Sequence, residues 1–294
     1  MVLVVGATGS LGGRIARSLL AAGTPVRALV RPATPAVSLE QAGAVVVRGD
    51  LRDPESLERA CAGMRAIVTT ASATRRGDDS VDNVDLRGNA ALFAAARNQG
   101  VEHVVMVSTA GAAPDAPVPA FRAKGRAEAA LRASGVRYTI LQPAPFMDVW
   151  FGMLVELPLS MGQSVTLVGE SRGRHSFIAE RDVAAFALAA LENPAARDAV
   201  LVLGGPRAVT FREVVDAYQQ ALAREIPTRS VTPGAPIPGL PEPVWGIAAA
   251  LEAGDNIVPM EATARRFGVT LTSVDDFARG RVAELAPLPS TPTA

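Results

Sequence analysis

Cysteine is almost absent from these 294 residues. Cys61 stands alone, so no disulfide can close within the chain and no cysteine cluster can hold a metal. Histidine is nearly as scarce. His103 and His175 lie far apart in sequence, too thin a set for a zinc site, and no metal is expected. Neither sign of charge is in excess: 29 Lys plus Arg balance 29 Asp plus Glu, which gives no electrostatic case for nucleic acid. No apolar run reaches the length of a membrane span. No secretory leader pattern opens the chain, because Met1 already begins a strand-like run. A cytoplasmic protein with no membrane or nucleic-acid partner is therefore expected. Tyrosine is limited to Tyr138 and Tyr218. Lysine is limited to Lys124, every other basic side chain of that kind being arginine.

What is present is apolar residue, at 49% of the chain and much of it alanine. The length allows one large or two modest domains with an ample core. The chain is organised around its start. Met1–Val5 is a short apolar run, Gly6-Ala7-Thr8-Gly9-Ser10-Leu11-Gly12-Gly13 follows, and Arg14 to Ala22 alternates apolar and polar residues at helical spacing. Strand, glycine turn and helix in this order form the layout that binds a dinucleotide. Gly6 lets the chain turn where a β-carbon would clash. Gly9 brings backbone close to a pyrophosphate, and Gly12 lets the helix pack tightly. Free N–H groups at the helix start, with its dipole, attract the phosphates, so Thr8, Ser10 and Leu11 are counted with the glycines.

The rest of the first half alternates in the same manner. Pro25–Val30 is a second strand ending at Arg31, about 20 residues past the turn, where the adenosine ribose is read. An acid there would favour NAD; a cation favours a 2′-phosphate, so NADP(H) is preferred and NAD(H) remains possible. Ala44–Arg48 is a third strand, followed by Gly49-Asp50-Leu51. Asp50 either meets the adenine or forms the turn. Asp53 caps a helix that Pro54 opens. Ala66–Thr70 is a fourth strand running into Ala71-Ser72-Ala73, small enough for a cofactor to pass. A charged loop, Thr74 to Asp79, precedes a long helix over Val81–Asn98. Val101–Val107, nearly all apolar, is a fifth strand buried on both faces and ending at Ser108. A helix over Phe121–Ala133 and a sixth strand over Arg137–Leu141 follow. The expected fold is α/β: a Rossmann-type, doubly wound parallel sheet.

From Gln142 the texture changes. Pro143-Ala144-Pro145-Phe146 breaks regular structure, and Met147, Trp150 and Phe151 follow closely, as either a substrate face or a core cluster. His175 precedes a short strand, Ser176–Ile178, and either faces the crevice or sits on the surface. A helix runs from Glu180 to Glu192, a strand from Ala199 to Leu203, and Thr210 with Glu213 forms a capping box. Val231 to Pro243 is a loop, and two helices close the chain. This predicts a Rossmann domain over 1–145, a smaller C-terminal α+β substrate region over 146–286 with segments returning to the sheet, and a disordered tail over 287–294.

Taken together, Gly6-Ala7-Thr8-Gly9-x-x-Gly12, Arg31, Gly49-Asp50-Leu51, Ser108, Lys124 with Glu128, Ser134-Gly135 through Gln142-Pro143, and Ser176-Phe177-Ile178 through Asp182-Val183-Ala184 resemble the atypical short-chain dehydrogenases, specifically the NmrA-like group. The resemblance implies NAD(P) across the strand ends. It adds Pro143 and Phe146 to the cofactor set of Gly6, Thr8, Gly9, Ser10, Leu11, Gly12, Arg31, Asp50, Leu51, Ala71, Ser72 and Lys124. It also marks Lys124 as catalytic; Ser108, the second catalytic candidate, either bonds a substrate carbonyl or the nicotinamide side or merely caps the strand end. Phe146, Met147, Trp150 and His175 are the substrate candidates. One departure matters: the family's tyrosine falls four residues before the lysine, and Ala120 stands there. Two readings follow. The first is a reductase delivering hydride to a quinone, polycyclic aromatic or conjugated carbonyl compound, as monomer or homodimer. The second is a non-catalytic redox sensor with a protein partner, as some NmrA-like proteins are.

Overall fold

A computed structural model of the chain describes residues 1–73 and 81–284. The loop expected at Thr74 to Asp79 and the tail expected at 287–294 lie outside the described residues.

Nine strands and twelve α-helices are described, in a first half that alternates strictly. In order they are β1 (Val2–Val5), α1 (Ser10–Ala21), β2 (Val26–Val30), α2 (Val37–Gln41), β3 (Val45–Arg48), α3 (Pro54–Cys61), β4 (Ala66–Thr69), a π-helical turn (Asp82–Gly88), α4 (Asn89–Asn98), β5 (His103–Val107), α5 (Pro119–Ala133) and β6 (Arg137–Pro143). The second half runs α6 (Met147–Phe151), α7 (Leu157–Ser160), β7 (Val165–Val168), α8 (Glu180–Glu192), β8 (Ala199–Leu203), α9 (Phe211–Leu222), β9 (Thr228–Val231), α10 (Glu242–Ala253), α11 (Glu261–Phe267) and α12 (Val274–Glu284). The described residues pack as two units: 1–73 and 81–143 with 181–203 and 266–269, and 144–180 with 204–265 and 270–284. The boundary read from sequence at 145 becomes Pro143 here, and the segment returning to the first unit is Arg181–Leu203 with Arg266–Val269.

The first unit is a seven-stranded sheet in the order β3-β2-β1-β4-β5-β6-β8, with every pair parallel. Strands β1, β4 and β5 are buried along their length, which explains their continuous apolar runs. Order reverses between β1 and β4, the switch point where ligands bind in open α/β sheets. On one face, Leu57, Ile67, Leu92, Phe93, Val104 and Leu131 form the core, each contributing about 1.5–3 kcal/mol by leaving water. Asp53 caps α3 as expected, its carboxylate accepting from the N–H groups of Glu55 and Ser56. Arg27 closes the other end of that helix, donating to the carbonyls of Ala60 and Ala62. Cys61 is buried beneath it, which pushes its thiol up to about 12. His103 is buried at the start of β5, its Nε2 sharing a 2.9 Å hydrogen bond with Thr139 Oγ1.

The second unit pairs β7 with β9 in parallel and packs them with helices around Phe151. The rings of Phe177, Phe211, Tyr218 and Phe277 each meet Phe151 edge to face. Beneath them Tyr218 donates to Glu156 Oε1 at 2.6 Å, and Arg281 grips both oxygens of that carboxylate at 2.9 and 2.6 Å. Desolvation, then the Glu156 charge, pushes the Tyr218 hydroxyl far up.

Several expectations change. The helix over Val81–Asn98 is π-helical in its first turns. Ser176–Ile178 makes isolated bridges, Ile178 to Phe146 and His175 to Val209 and Asn256, rather than a strand. Three helices follow the proline-rich loop rather than two, because Gly254–Pro259 and Gly268–Ser273 each interrupt the helical run. The strand at 199–203 joins the sheet as a seventh member, beyond the six read in the first half. Among the described residues, no helix is long and apolar enough to cross a membrane.

Candidate functional site

Parallel topology carries every strand-to-helix turn of the sheet to one edge, and the candidate cofactor residues of the first unit gather there. Gly6 adopts φ +85°, and a β-carbon on it would stand 2.6 Å from Thr70 Oγ1. A β-carbon on Gly12 would stand 2.2 Å from the Gly6 carbonyl oxygen. These two glycines are therefore required by the turn itself and by its contact with the end of β4. Gly9 differs: its nearest neighbour would be Gly6 O at 3.3 Å, and the residue is exposed. Packing within the chain restricts a side chain there far less than at Gly6 or Gly12.

Gly9 is also the N-cap of α1, and it supplies no side-chain hydrogen bond. No acidic residue occupies the first turn. The N–H groups of this twelve-residue helix thus meet no carboxylate of their own, with Thr8 and Ser10 exposed beside them and Leu11 buried below. A helix start with no acid in its first turn, behind a glycine with no side chain, has the chemistry that receives a pyrophosphate. The residues present fit a dinucleotide.

At the ends of β2 and β3 the charges interlock. Arg31 is half-buried, and its carbonyl accepts from Arg48 Nη1 at 3.2 Å. Asp50 takes the backbone N–H of Arg52 and two donors of its guanidinium, at 2.9, 2.9 and 2.8 Å. Those bonds, with a smaller contribution from the Arg31 charge, hold its carboxyl below the usual range. Within the chain, Asp50 fastens the turn that follows β3. Arg52 was not singled out from the sequence. Leu51 packs against Gly88, where a β-carbon would meet it at 2.8 Å. Ala71 and Ser72, half-buried past β4, continue the same edge.

The β5 and β6 ends hold a carboxylate that sequence reasoning left without a role. Glu128 on α5 is 2% exposed. Ser108 Oγ donates to its Oε1 at 2.5 Å, Gln142 Nε2 donates to both oxygens at 2.8 and 3.1 Å, and Arg132 donates to Oε2 at 3.0 Å. Within the chain the Ser108 hydroxyl pairs with Glu128 at the end of β5. Pro143 is buried at the close of β6.

Lys124 is the sixth residue of α5, with Nζ 3.0 Å from Asp85 Oδ1. Asp85 went unnoticed in the sequence, although the signal was available. Asp85, Asn89, Leu92 and Ala96 recur at helical spacing and are all buried, so an acid stands on an apolar stripe. The position four residues before Lys124 is Ala120 on the same helix.

The substrate candidates belong to the second unit and are not gathered in one environment. Met147 is fully buried in its core, where apolar packing, not ligand contact, accounts for it. Phe146 is half-buried at the start of α6, and Trp150 is half-buried against the core. His175, considered for a crevice or for the surface, is 2% exposed. Its Nε2 pairs with the Leu251 carbonyl at 2.6 Å, and burial pushes its ring below the ordinary value. Among the described residues, no group of three metal-binding side chains occurs.

The model of a family described as NAD(P)H-binding matches residues 6–194, well over half of the chain. An NAD(P)H azoreductase of Xenophilus azovorans is 35% identical over 79% of this chain and 77% of that one. A photosystem II assembly factor, Ycf39 of Cyanophora paradoxa, is 34% identical over 74% of this chain and 68% of its own. Among solved structures, an NADPH-dependent quinone oxidoreductase of Escherichia coli bound to NADPH superposes with TM-score 0.80, covering 96% of this chain and all of that one at 19% identity. The triphenylmethane reductase of Citrobacter sp. with NADP(H) gives 0.76, covering 96% and 99% at 23% identity. At these identities the two structures speak for the fold.

Proposed function

The chain belongs to the NAD(P)H-binding family, and from that premise we propose that it is an NAD(P)H-dependent reductase acting on a quinone, a polycyclic aromatic or a conjugated carbonyl compound. One observation carries this reading: α5 retains the ammonium of Lys124 and has alanine at 120, where a phenol would serve as acid. Reduction of an isolated ketone needs a proton donor at the developing alkoxide. A conjugated acceptor spreads that charge over its own π-system and does not need one. Bound along this edge, NAD(P)H supplies the hydride. The chain binds and orients. Gly6, Gly9 and Gly12 with the start of α1 hold the pyrophosphate, Arg31 takes the 2′-phosphate and so favours NADP(H), and Lys124 meets ribose hydroxyls. The azoreductase relative supports a conjugated acceptor.

A second reading, a non-catalytic NAD(P) sensor, is favoured by the relative named as an assembly factor and by the same alanine at 120. Anaerobic oxidation of NADPH against a panel of quinones, enones and azo compounds separates the two. Turnover with any of them is the expected result. Tight NADPH binding with no turnover on the whole panel sinks the reductase.

A further inference from the structure

Asp85 is 1% exposed, and both of its oxygens are engaged inside the first unit. Oδ2 accepts the backbone N–H of Ala73 at 2.9 Å, at the end of the small-residue segment past β4. Oδ1 faces Lys124 Nζ at ion-pair distance but without the alignment of a hydrogen bond. One carboxylate therefore ties the Ala71–Ala73 segment to α5.

Its own anchorage is elaborate. The seven residues 82–88 wind as a π-helix, a wide turn that is rare and concentrates at functional sites. Asn89 holds this turn, donating to the carbonyls of Val84 and Asp85 at 3.2 and 3.1 Å and accepting the Thr69 hydroxyl at 3.0 Å. Asp85 is thus pinned to β4 through Thr69 and Ala73 at once.

A buried ion pair is a weak device for stability, because desolvating two charges offsets their attraction, and apolar residues of similar size often do as well. A chain whose other basic side chains of this kind are all arginine has kept one lysine, 11% exposed, facing this acid. A compact ammonium fits such a place, whereas a planar guanidinium demands more room and a fork of acceptors.

We propose that Asp85 is the positioning residue for Lys124, setting where the ammonium stands beside the Ala71–Ala73 segment so that it meets the cofactor's ribose. This rests on the assignment of Lys124 to bound NAD(P)H, and its test needs no turnover. NADPH dissociation constants are measured by protein fluorescence for the wild type, Asp85→Asn, Lys124→Met and the double variant, with thermal unfolding followed in parallel. The expected result is a loss of about tenfold for each single variant, and no further loss in the double variant, because both remove one interaction. Unchanged affinity in either single variant overturns the proposal, as do losses that multiply in the double variant. Should Asp85→Asn not fold, Asp85→Glu replaces it, keeping the charge and moving it by one methylene: a loss of affinity that vanishes when Lys124→Met is already present supports the role, and unchanged affinity, or an equal loss in the Lys124→Met background, contradicts it. Failure of quinone turnover with this binding pattern intact would count against the reductase and not against Asp85.

Discussion

The carbonyl oxygen of Gly6 lies 2.2 Å from where a β-carbon on Gly12 would stand, so the two ends of the glycine turn exclude any side chain from each other. Gly9, between them, has a nearest contact at 3.3 Å. The three glycines therefore answer to different demands, and substitution separates them. Gly12→Ala should cost stability, about 3 kcal/mol or more, since backbone must shift. Gly9→Ala should change stability by about 1 kcal/mol or less and yet weaken NADPH at least about tenfold, because its β-carbon intrudes where phosphate sits. Chemical denaturation and NADPH titration of both variants check this.

The role proposed for Arg31 is tested by comparing the two cofactors. Arg31→Ala should weaken NADPH by about tenfold or more, the loss of a charge-assisted contact to the 2′-phosphate, and leave NADH nearly unchanged. Equal losses for both would assign Arg31 to shaping the loop, where its carbonyl already accepts from Arg48.

Much of this region was legible in advance, because the relevant contacts are local. β1, the glycine turn and α1 lie within the first 21 residues, and the strand runs of β4 and β5 announce burial on both faces. What escaped was non-local. β7 and β9 pair across some sixty residues, Val165 with Thr228, and neither segment alternates clearly enough to be read alone. The π-helical turn depends on Asn89 finding Thr69, a contact no spacing reveals. Lys124 was found by its rarity, while its partner Asp85 needed the fold to bring α5 beside the turn.

Glu128 sets a third expectation. Ser108→Ala removes one of its donors and leaves Gln142 and Arg132 in place, so a cost of about 1–3 kcal/mol is expected. Because the serine proton points at Glu128, turnover should fall by less than about tenfold. A far larger loss of kcat with unchanged stability would restore Ser108 to a direct role in the chemistry.

Stability should fall as pH drops through the histidine range. Burial holds both His103 and His175 below the ordinary value of 6.5, so the unfolded chain binds more protons than the folded one. Their contribution is complete above that value and is lost as pH falls below it, by up to about 1.4 kcal/mol per pH unit for each ring until its folded value is reached. Carboxylates held low, such as Asp50, act only at more acid pH. Urea unfolding at a series of pH values checks this, and His103→Gln should flatten the slope below about 6.5.

The central claim is hydride delivery from the cofactor held at the glycine turn to a conjugated acceptor. It is tested most directly by comparing the rates with NADPH and with NADPH deuterated at C4 of the nicotinamide, anaerobically, with a naphthoquinone as acceptor. The account predicts stoichiometric quinol formation, a slowed rate with the deuterated cofactor, and an apparent KM for NADPH raised at least about tenfold in Gly9→Ala. NADPH that binds tightly and is never oxidised, with this acceptor or any other of the panel, would contradict it.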